Sequence, residues 1–247
     1  MSLKIGLNLT KNYSINFDLQ KRKKQSIKFI IIHYTGMKKE INAIKRLCDP
    51  KSKVSSHYFI KNNGDVLNMV PDLYKAWHAG ISYWNNYNSL NKYSIGIEIN
   101  NPGHSYKYKK FSSKQINSLM RLLKYLIKKY KIKKKNVLGH SDISPNRKKD
   151  PGEKFPWKKL AKKNLCKWHD LNEKKIKNLR NIKIEYRDKK IFYKNLNKIG
   201  YTKIFEKSAL NIKNNIVKAF QRKFRQDLIN GKIDEECLLI SKNLLKS

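Results

Sequence analysis

The sequence predicts an α/β chain that ends in a small three-helix unit, on three observations. The apolar run 27–33 (IKFIIIH) has the β-branched composition of a strand buried on both faces, and Ser94–Ile99 (SIGIEI) reads as a second strand. Helix-period segments lie between and after them. Beyond about Leu171 the chain turns Lys/Asn-rich and then carries only helical patterns.

In chain order, residues 1–26 are polar and basic and read as a surface wrap. The first strand, 27–33, ends at Thr35-Gly36. Glu40–Cys48 then spaces Ile41, Ile44 and Leu47 as one face of a short helix. Residues 54–60 (VSSHYFI) form a strand. Asn63-Gly64 is a hairpin turn, and 65–70 is the returning partner. Residues 76–84 (AWHAGISYW) make an aromatic, glycine-containing loop before the strand Ser94–Ile99. Ser112-x-x-Gln115 is a capping box. It opens a helix to about Tyr130, with Ile116, Leu119, Met120, Leu123, Leu126 and Ile127 on its apolar face. A short strand, 136–139, leads into 139–152 (GHSDISPNRKKDPG). Pro156 starts a helix that contains Trp157 and Leu160.

The helical patterns 191–199, 212–224 and 234–245 complete the chain. The division this predicts is a main domain over 1–170, a linker over 171–190 and a helical domain over 191–247.

Net charge is +39, from 57 Lys and Arg against 18 Asp and Glu, and the pI is about 10.1. Such a charge favours anionic partners. The lysines are scattered along the whole chain, however, and no helix-turn-helix, zinc-finger or RNP-like pattern accompanies them, so no specific nucleic-acid partner is expected. Cys48, Cys166 and Cys237 are odd in number and far apart, which argues against a disulfide framework and against a cysteine metal site. No apolar run is long enough to span a membrane. The N-terminal residues lack an apolar signal core and a lipid-bearing cysteine. A cytoplasmic location is therefore expected, with the cell envelope as the alternative if the true start lies elsewhere.

The chemistry concentrates in 139–152, where His140, Lys148 and Asp150 share one short segment. A histidine and an aspartate make two-thirds of a catalytic zinc site, which takes three protein ligands and leaves a fourth position for water. His33, at the end of the first strand, is the best third ligand. Glu98 interrupts the apolar strand IGIEI, where a charge is costly unless paired or functional. A half-buried carboxylate beside a metal site is a natural general base. Lys148 is placed to stabilise a developing oxyanion, or else is one more solvated lysine. His57 faces either the cleft or the core. His78, with Trp77, Tyr83 and Trp84 around it, belongs either to a stacking surface for substrate or to a loop that closes the core. His104 and His169 sit in polar surroundings and carry no assignment.

Five of these segments occur in one order: HYTGM (33–37), VSSHYFI, AWHAGISYW, SIGIEI and GHSDISPNRKKDPG. Together they resemble the zinc-dependent N-acetylmuramoyl-L-alanine amidases of the amidase-2 type, over roughly residues 20–165. The resemblance implies a central mixed β-sheet flanked by helices. It also implies hydrolysis of the amide between N-acetylmuramic (or anhydro-muramic) acid and the L-alanine of the peptidoglycan stem peptide, with one Zn2+ per chain. Matched residue by residue, His33, His140 and Asp150 are the zinc ligands, Glu98 activates water, and Lys148 stabilises the tetrahedral intermediate. His57, Trp77, His78, Ala79, Trp84 and Arg147 are expected to line the substrate cleft. Residues 216–236 (IVKAFQRKFRQDLINGKIDEE) resemble a three-helix peptidoglycan-binding module, with Phe220, Gln221 and Phe224 matching. Peptidoglycan or muropeptide fragments are the partners implied. Recognition proteins of this fold that do not cleave lack part of the ligand set; here all three ligand positions are filled.

Overall fold

The computed structural model describes residues 9–11, 14–202 and 208–246. The first eight residues, part of the stretch read for an export signal, lie outside these. Ten strands are described: β1 (Leu9–Lys11), β2 (Phe17–Asp18), β3 (Phe29–Tyr34), β4 (Tyr58–Ile60), β5 (Val66–Asn68), β6 (Lys75–Ala76), β7 (Tyr83–Trp84), β8 (Tyr87–Asn88), β9 (Ser94–Ile99) and β10 (Val137–Gly139). The helices are α1 (Glu40–Cys48), α2 (Ser113–Tyr130), α3 (His140–Ile143), α4 (Trp157–Lys162), α5 (Glu173–Lys177), α6 (Tyr186–Ile199), α7 (Leu210–Phe224) and α8 (Glu235–Lys246).

The central sheet runs β1-β5-β4-β9-β3-β10 and is mixed. Only the β4–β5 hairpin is antiparallel; β4–β9, β9–β3 and β3–β10 pair in parallel. Period-two alternation divides each long strand between two cores. On β3, Ile30 and Ile32 join β9's Ile95, Ile97 and Ile99 beneath α2, while Phe29 and Ile31 point to the opposite face. Helix α2 lays Ile116, Leu119, Leu122, Leu123 and Leu126 on the first face. Its start is the expected capping box: Gln115 N–H donates to Ser112 Oγ, and Ser112 N–H donates to Gln115 Oε1. Burying each of these leucines contributes about 1.5–3 kcal/mol. The other sheet face is shared. Helix α1 covers Phe59, Leu67 and Met69 at one side, and the C-terminal helices cover Phe29, Ile31 and Leu138 at the other.

The expected strands and helices appear with ends shifted by a few residues. The segment read as a loop after Gly139 opens instead with the helical turn α3, because Asp142 Oδ2 accepts from Gly139 N–H at 2.8 Å and caps it. Residues 171–190, read as a linker, carry α5 and pack on α8. Arg180 makes a two-pronged bond to Glu236 (2.7 and 2.8 Å), and Ile176 is buried. The lysines that gave this stretch its linker character sit on the exposed side of α5. Helices α6, α7 and α8 pack together through Phe192, Leu196, Phe220 and Ile240. Gln221 is fully buried; its amide donates to the Lys232 carbonyl and accepts from Gly231 N–H, holding the turn between α7 and α8.

This helical unit is fused to the sheet domain. Lys223 Nζ donates to Asp142 Oδ2 and to the Val137 carbonyl, each at 3.1 Å, and lies 4.6 Å above the Trp157 ring. Tyr201 donates to Asp142 Oδ1 at 2.8 Å. Among the described residues, no helix is long and apolar enough to cross a membrane. Cys48, Cys166 and Cys237 are free.

Candidate metal centre and cleft

Parallel pairing sends β3, β9 and β10 in one direction, so their C-terminal ends gather at one edge of the sheet, where ligands bind in open α/β sheets. His33 is the fifth residue of β3, Glu98 is its register partner on β9, and His140 follows directly after β10. Asp150 returns to the same point because the motif folds on itself. Ser141 N–H donates to the Asp150 carbonyl at 2.8 Å, and Arg147 and Lys148 N–H both bond to the Ser144 carbonyl. Three atoms meet there: His33 Nδ1 and His140 Nδ1 at 2.9 Å, with Asp150 Oδ2 at 3.0 and 3.1 Å from them. All three residues are buried, and together they form a group able to hold a metal ion.

The donor chemistry fits a cation. His140 Nε2 faces the Ala79 carbonyl at 3.0 Å. A carbonyl only accepts, so Nε2 carries the hydrogen and, in the neutral ring, Nδ1 presents a lone pair. Burial and the neighbouring His140 push the His33 imidazole down to about 4, so the His33 ring is neutral near pH 7. Burial raises the Asp150 carboxyl, but His140 and His33 more than offset this and hold it well below the usual carboxylate range. Two imidazoles and one carboxylate converging on a point is a donor set that a borderline dication takes.

Glu98 stands beside this point. Its strand explains why: Ile95, Ile97 and Ile99 fill the core under α2, leaving Ser94, Gly96 and Glu98 on the other face. Glu98 Oε2 is buried with no hydrogen-bond partner in the structure. Burial, reinforced by the Asp150 charge, pushes the carboxyl up to about 8, with Lys148 pulling the other way. A buried, unpartnered carboxyl oxygen with its pKa raised, set beside converging ligand candidates, is the electrostatic signature of a functional carboxyl.

A cleft of about 800 Å³ opens over this site. The three ligand candidates line it, with Glu98, Lys148, Arg147 and Trp77. Trp77 is held by its indole N–H on Asp18 Oδ1 at 2.7 Å, and Arg147 by bonds to the Ala79 and Ile81 carbonyls. Residues that sequence reasoning did not single out also line the cleft: Tyr34, Arg46 and Tyr106, and His104, which bonds Tyr34 Oη at 2.8 Å and Glu153 at 3.0 Å. Tyr34 follows His33 directly, which was the one available signal; the others arrive from remote segments.

Three expected cleft residues lie elsewhere. His57 is fully buried: its Nδ1 accepts from Gly96 N–H at 2.9 Å and its Nε2 faces the Tyr74 carbonyl at 3.0 Å, so it braces the sheet from within. Trp84 is buried against Tyr201, with ring centroids 4.8 Å apart, at the junction with the helical unit. Ala79 is buried and contributes only its carbonyl, to His140 and Arg147. In each case a strand or loop alternation that sequence could not orient turned the side chain inward. His78 reaches the cleft only at an edge and packs mainly behind His33, with His33 Nε2 and His78 Nδ1 3.0 Å apart.

Against known proteins, residues 23–153 match the family model described as N-acetylmuramoyl-L-alanine amidase. The chain is 34% identical over 232 residues to the N-acetylmuramoyl-L-alanine amidase AmiD of Escherichia coli, covering 89% of this chain and 83% of that protein. The structure superposes on E. coli AmiD in complex with the substrate anhydro-N-acetylmuramic acid-L-Ala-D-γ-Glu-L-Lys with a TM-score of 0.79 and 32% identity, covering 93% of this chain and 91% of that one. It superposes on AmpDh3 of Pseudomonas aeruginosa in complex with anhydromuramic pentapeptide with a TM-score of 0.77 and 28% identity, covering 93% and 94%.

Proposed function

The chain belongs to the N-acetylmuramoyl-L-alanine amidase family, and on that premise we propose how its cleft performs the reaction. It is an N-acetylmuramoyl-L-alanine amidase. It hydrolyses the amide between N-acetylmuramic acid, or its anhydro form, and the L-alanine of the stem peptide, a step in cell-wall turnover and recycling.

His33, His140 and Asp150 would hold one zinc ion per chain, a nitrogen–oxygen donor set of the kind found at catalytic zinc. When bound, zinc polarises the scissile carbonyl and lowers the pKa of water toward about 7. Glu98 takes the proton from the attacking water and delivers it to the departing alanine nitrogen. Burial and the Asp150 charge together keep Glu98 protonated near neutrality; positive charge at the adjacent ligand set favours the carboxylate that proton abstraction needs. Lys148, within the electrostatic reach of both His33 and Glu98, sets its ammonium against the oxyanion. Trp77 and Arg147 form the cleft wall along which sugar and peptide lie. The helical unit over 191–247 is a peptidoglycan-binding-like module, and residues 171–190 travel with it.

The observation that carries this reading is the meeting of three ligand-candidate atoms within 3.1 Å beside Glu98, whose Oε2 is buried without a partner, in an open cleft. The test is zinc stoichiometry on purified protein, with mass spectrometry of an anhydro-muropeptide digest. Free stem peptide that disappears with chelator and returns with zinc supports the reading. Substrate bound but uncleaved by zinc-loaded protein overturns it in favour of recognition alone.

A further inference from the structure

We infer that His78 is a positioning residue for the metal centre: anchored on Ser94 and seated over Gly96, it sets the tautomer and ring orientation of His33. The inference rests on His33 being a metal ligand and extends that assignment to the residues behind it.

The hydrogen-bond directions follow from the far end of the chain of contacts. The Ser94 hydroxyl lies 2.6 Å from the Leu90 carbonyl, which can only accept, so the single Ser94 proton is spent there. Ser94 Oγ is also 3.2 Å from His78 Nε2 and can only accept from it, so His78 carries its hydrogen on Nε2. A neutral ring with its hydrogen on Nε2 presents its Nδ1 as an acceptor. That Nδ1 lies 3.0 Å from His33 Nε2, which must therefore hold the His33 hydrogen. His33 Nδ1 is left with its lone pair aimed at His140 and Asp150.

The seat is built for this ring. A Cβ placed on Gly96 would come within 2.4 Å of the His78 ring, so only glycine on β9 leaves the slot open. Asn91 Oδ1 accepts from the backbone N–H of both His78 (3.1 Å) and Ala79 (2.7 Å). Since the Ala79 carbonyl takes His140 Nε2–H, two consecutive residues orient both imidazoles, one by side chain and one by backbone. Partners of this kind fix ligand geometry and raise ligand basicity. The AWHAG segment thereby acts mainly behind the metal centre, with Trp77 turned to the cleft wall and His78 reaching only its edge.

The test measures zinc affinity by chelator competition, and kcat and KM at saturating zinc. His78→Leu keeps the volume apolar and removes the acceptor; it should raise the zinc dissociation constant about 10–100-fold and lower kcat with KM unchanged. His78→Asn, whose Oδ1 takes the place of Nδ1, should recover most of the affinity. If His78→Leu does not fold, Ser94→Ala carries the test with a smaller loss in the same direction. Unchanged zinc affinity with a raised KM in folded His78→Leu, or unchanged affinity in folded Ser94→Ala, overturns the inference. Undiminished zinc binding in His33→Ala would instead overturn the ligand assignment on which it rests.

Discussion

His33 on β3 and Glu98 on β9 are register partners in a parallel pair, so a metal-ligand candidate and an acid stand side by side on adjacent strands. Parallel pairing makes this alignment rigid: neither residue can slip without turning every isoleucine of its strand to the wrong face. The separation of roles between the two residues is testable on this basis. Glu98→Gln preserves shape and removes the base. It is expected to keep zinc at wild-type stoichiometry and to lower kcat by about 10²–10⁴. Elemental analysis and steady-state kinetics on one preparation check both parts, and loss of zinc in this variant would move Glu98 into the ligand set.

Asp150→Ala should lose zinc and activity together, because Asp150 supplies one of the three converging atoms. Full zinc stoichiometry in that variant would refute the ligand assignment.

Lys148→Ala should retain zinc and lose about 10²–10³ in kcat, the usual cost of removing one oxyanion stabiliser. Lys148→Arg, which keeps the charge, should recover part of it. An unaltered rate in Lys148→Ala would leave Lys148 as a solvated rim residue.

Two buried groups set opposite limits on the pH range of the metal-free chain. Burial and the nearby Arg22 lower the His57 imidazole to about 3. Unfolded chains take up that proton below about 6.5, whereas folded ones resist it, so stability falls as pH drops from there toward 3. Glu98 has the reverse sign. Its raised value of about 8 means the folded chain keeps a proton that the unfolded chain releases above about 4.5, so stability declines as pH rises from 4.5 to 8. Chelator-treated Glu98→Gln should lose this alkaline decline. Urea midpoints at pH 4.5 and pH 8 measure it, and parallel slopes for variant and wild type would show that Glu98 ionises normally.

Lys223 and Asp142 form a buried ion pair across the junction of sheet domain and helical unit, with both side chains at most 4% exposed. Lys223→Ala leaves Asp142 short of a charge partner and should cost about 3–5 kcal/mol. Unfolding of the wild type should be a single transition by fluorescence and circular dichroism. Two resolved transitions would mean that the helical unit folds apart from the sheet.

Much of this protein is determined by local sequence. The apolar runs around β3 and β9, the capping box of α2 and the helical periodicity of α6, α7 and α8 each carry their own signal, because hydrophobic period and end-capping act over a few residues. The ordered motifs identified the family and singled out His33, Glu98, His140, Lys148 and Asp150. What tertiary structure alone decided is which way side chains point. The bend before β4 sends His57 inward, the stretch after β6 sets His78 behind His33 while Ala79 offers the site its carbonyl, and Tyr201 beyond α6 buries Trp84. Sequence also could not show that 171–190 is packed, because Arg180 finds Glu236 fifty-six positions away. Contacts of that reach depend on the whole chain being folded, and no local pattern encodes them.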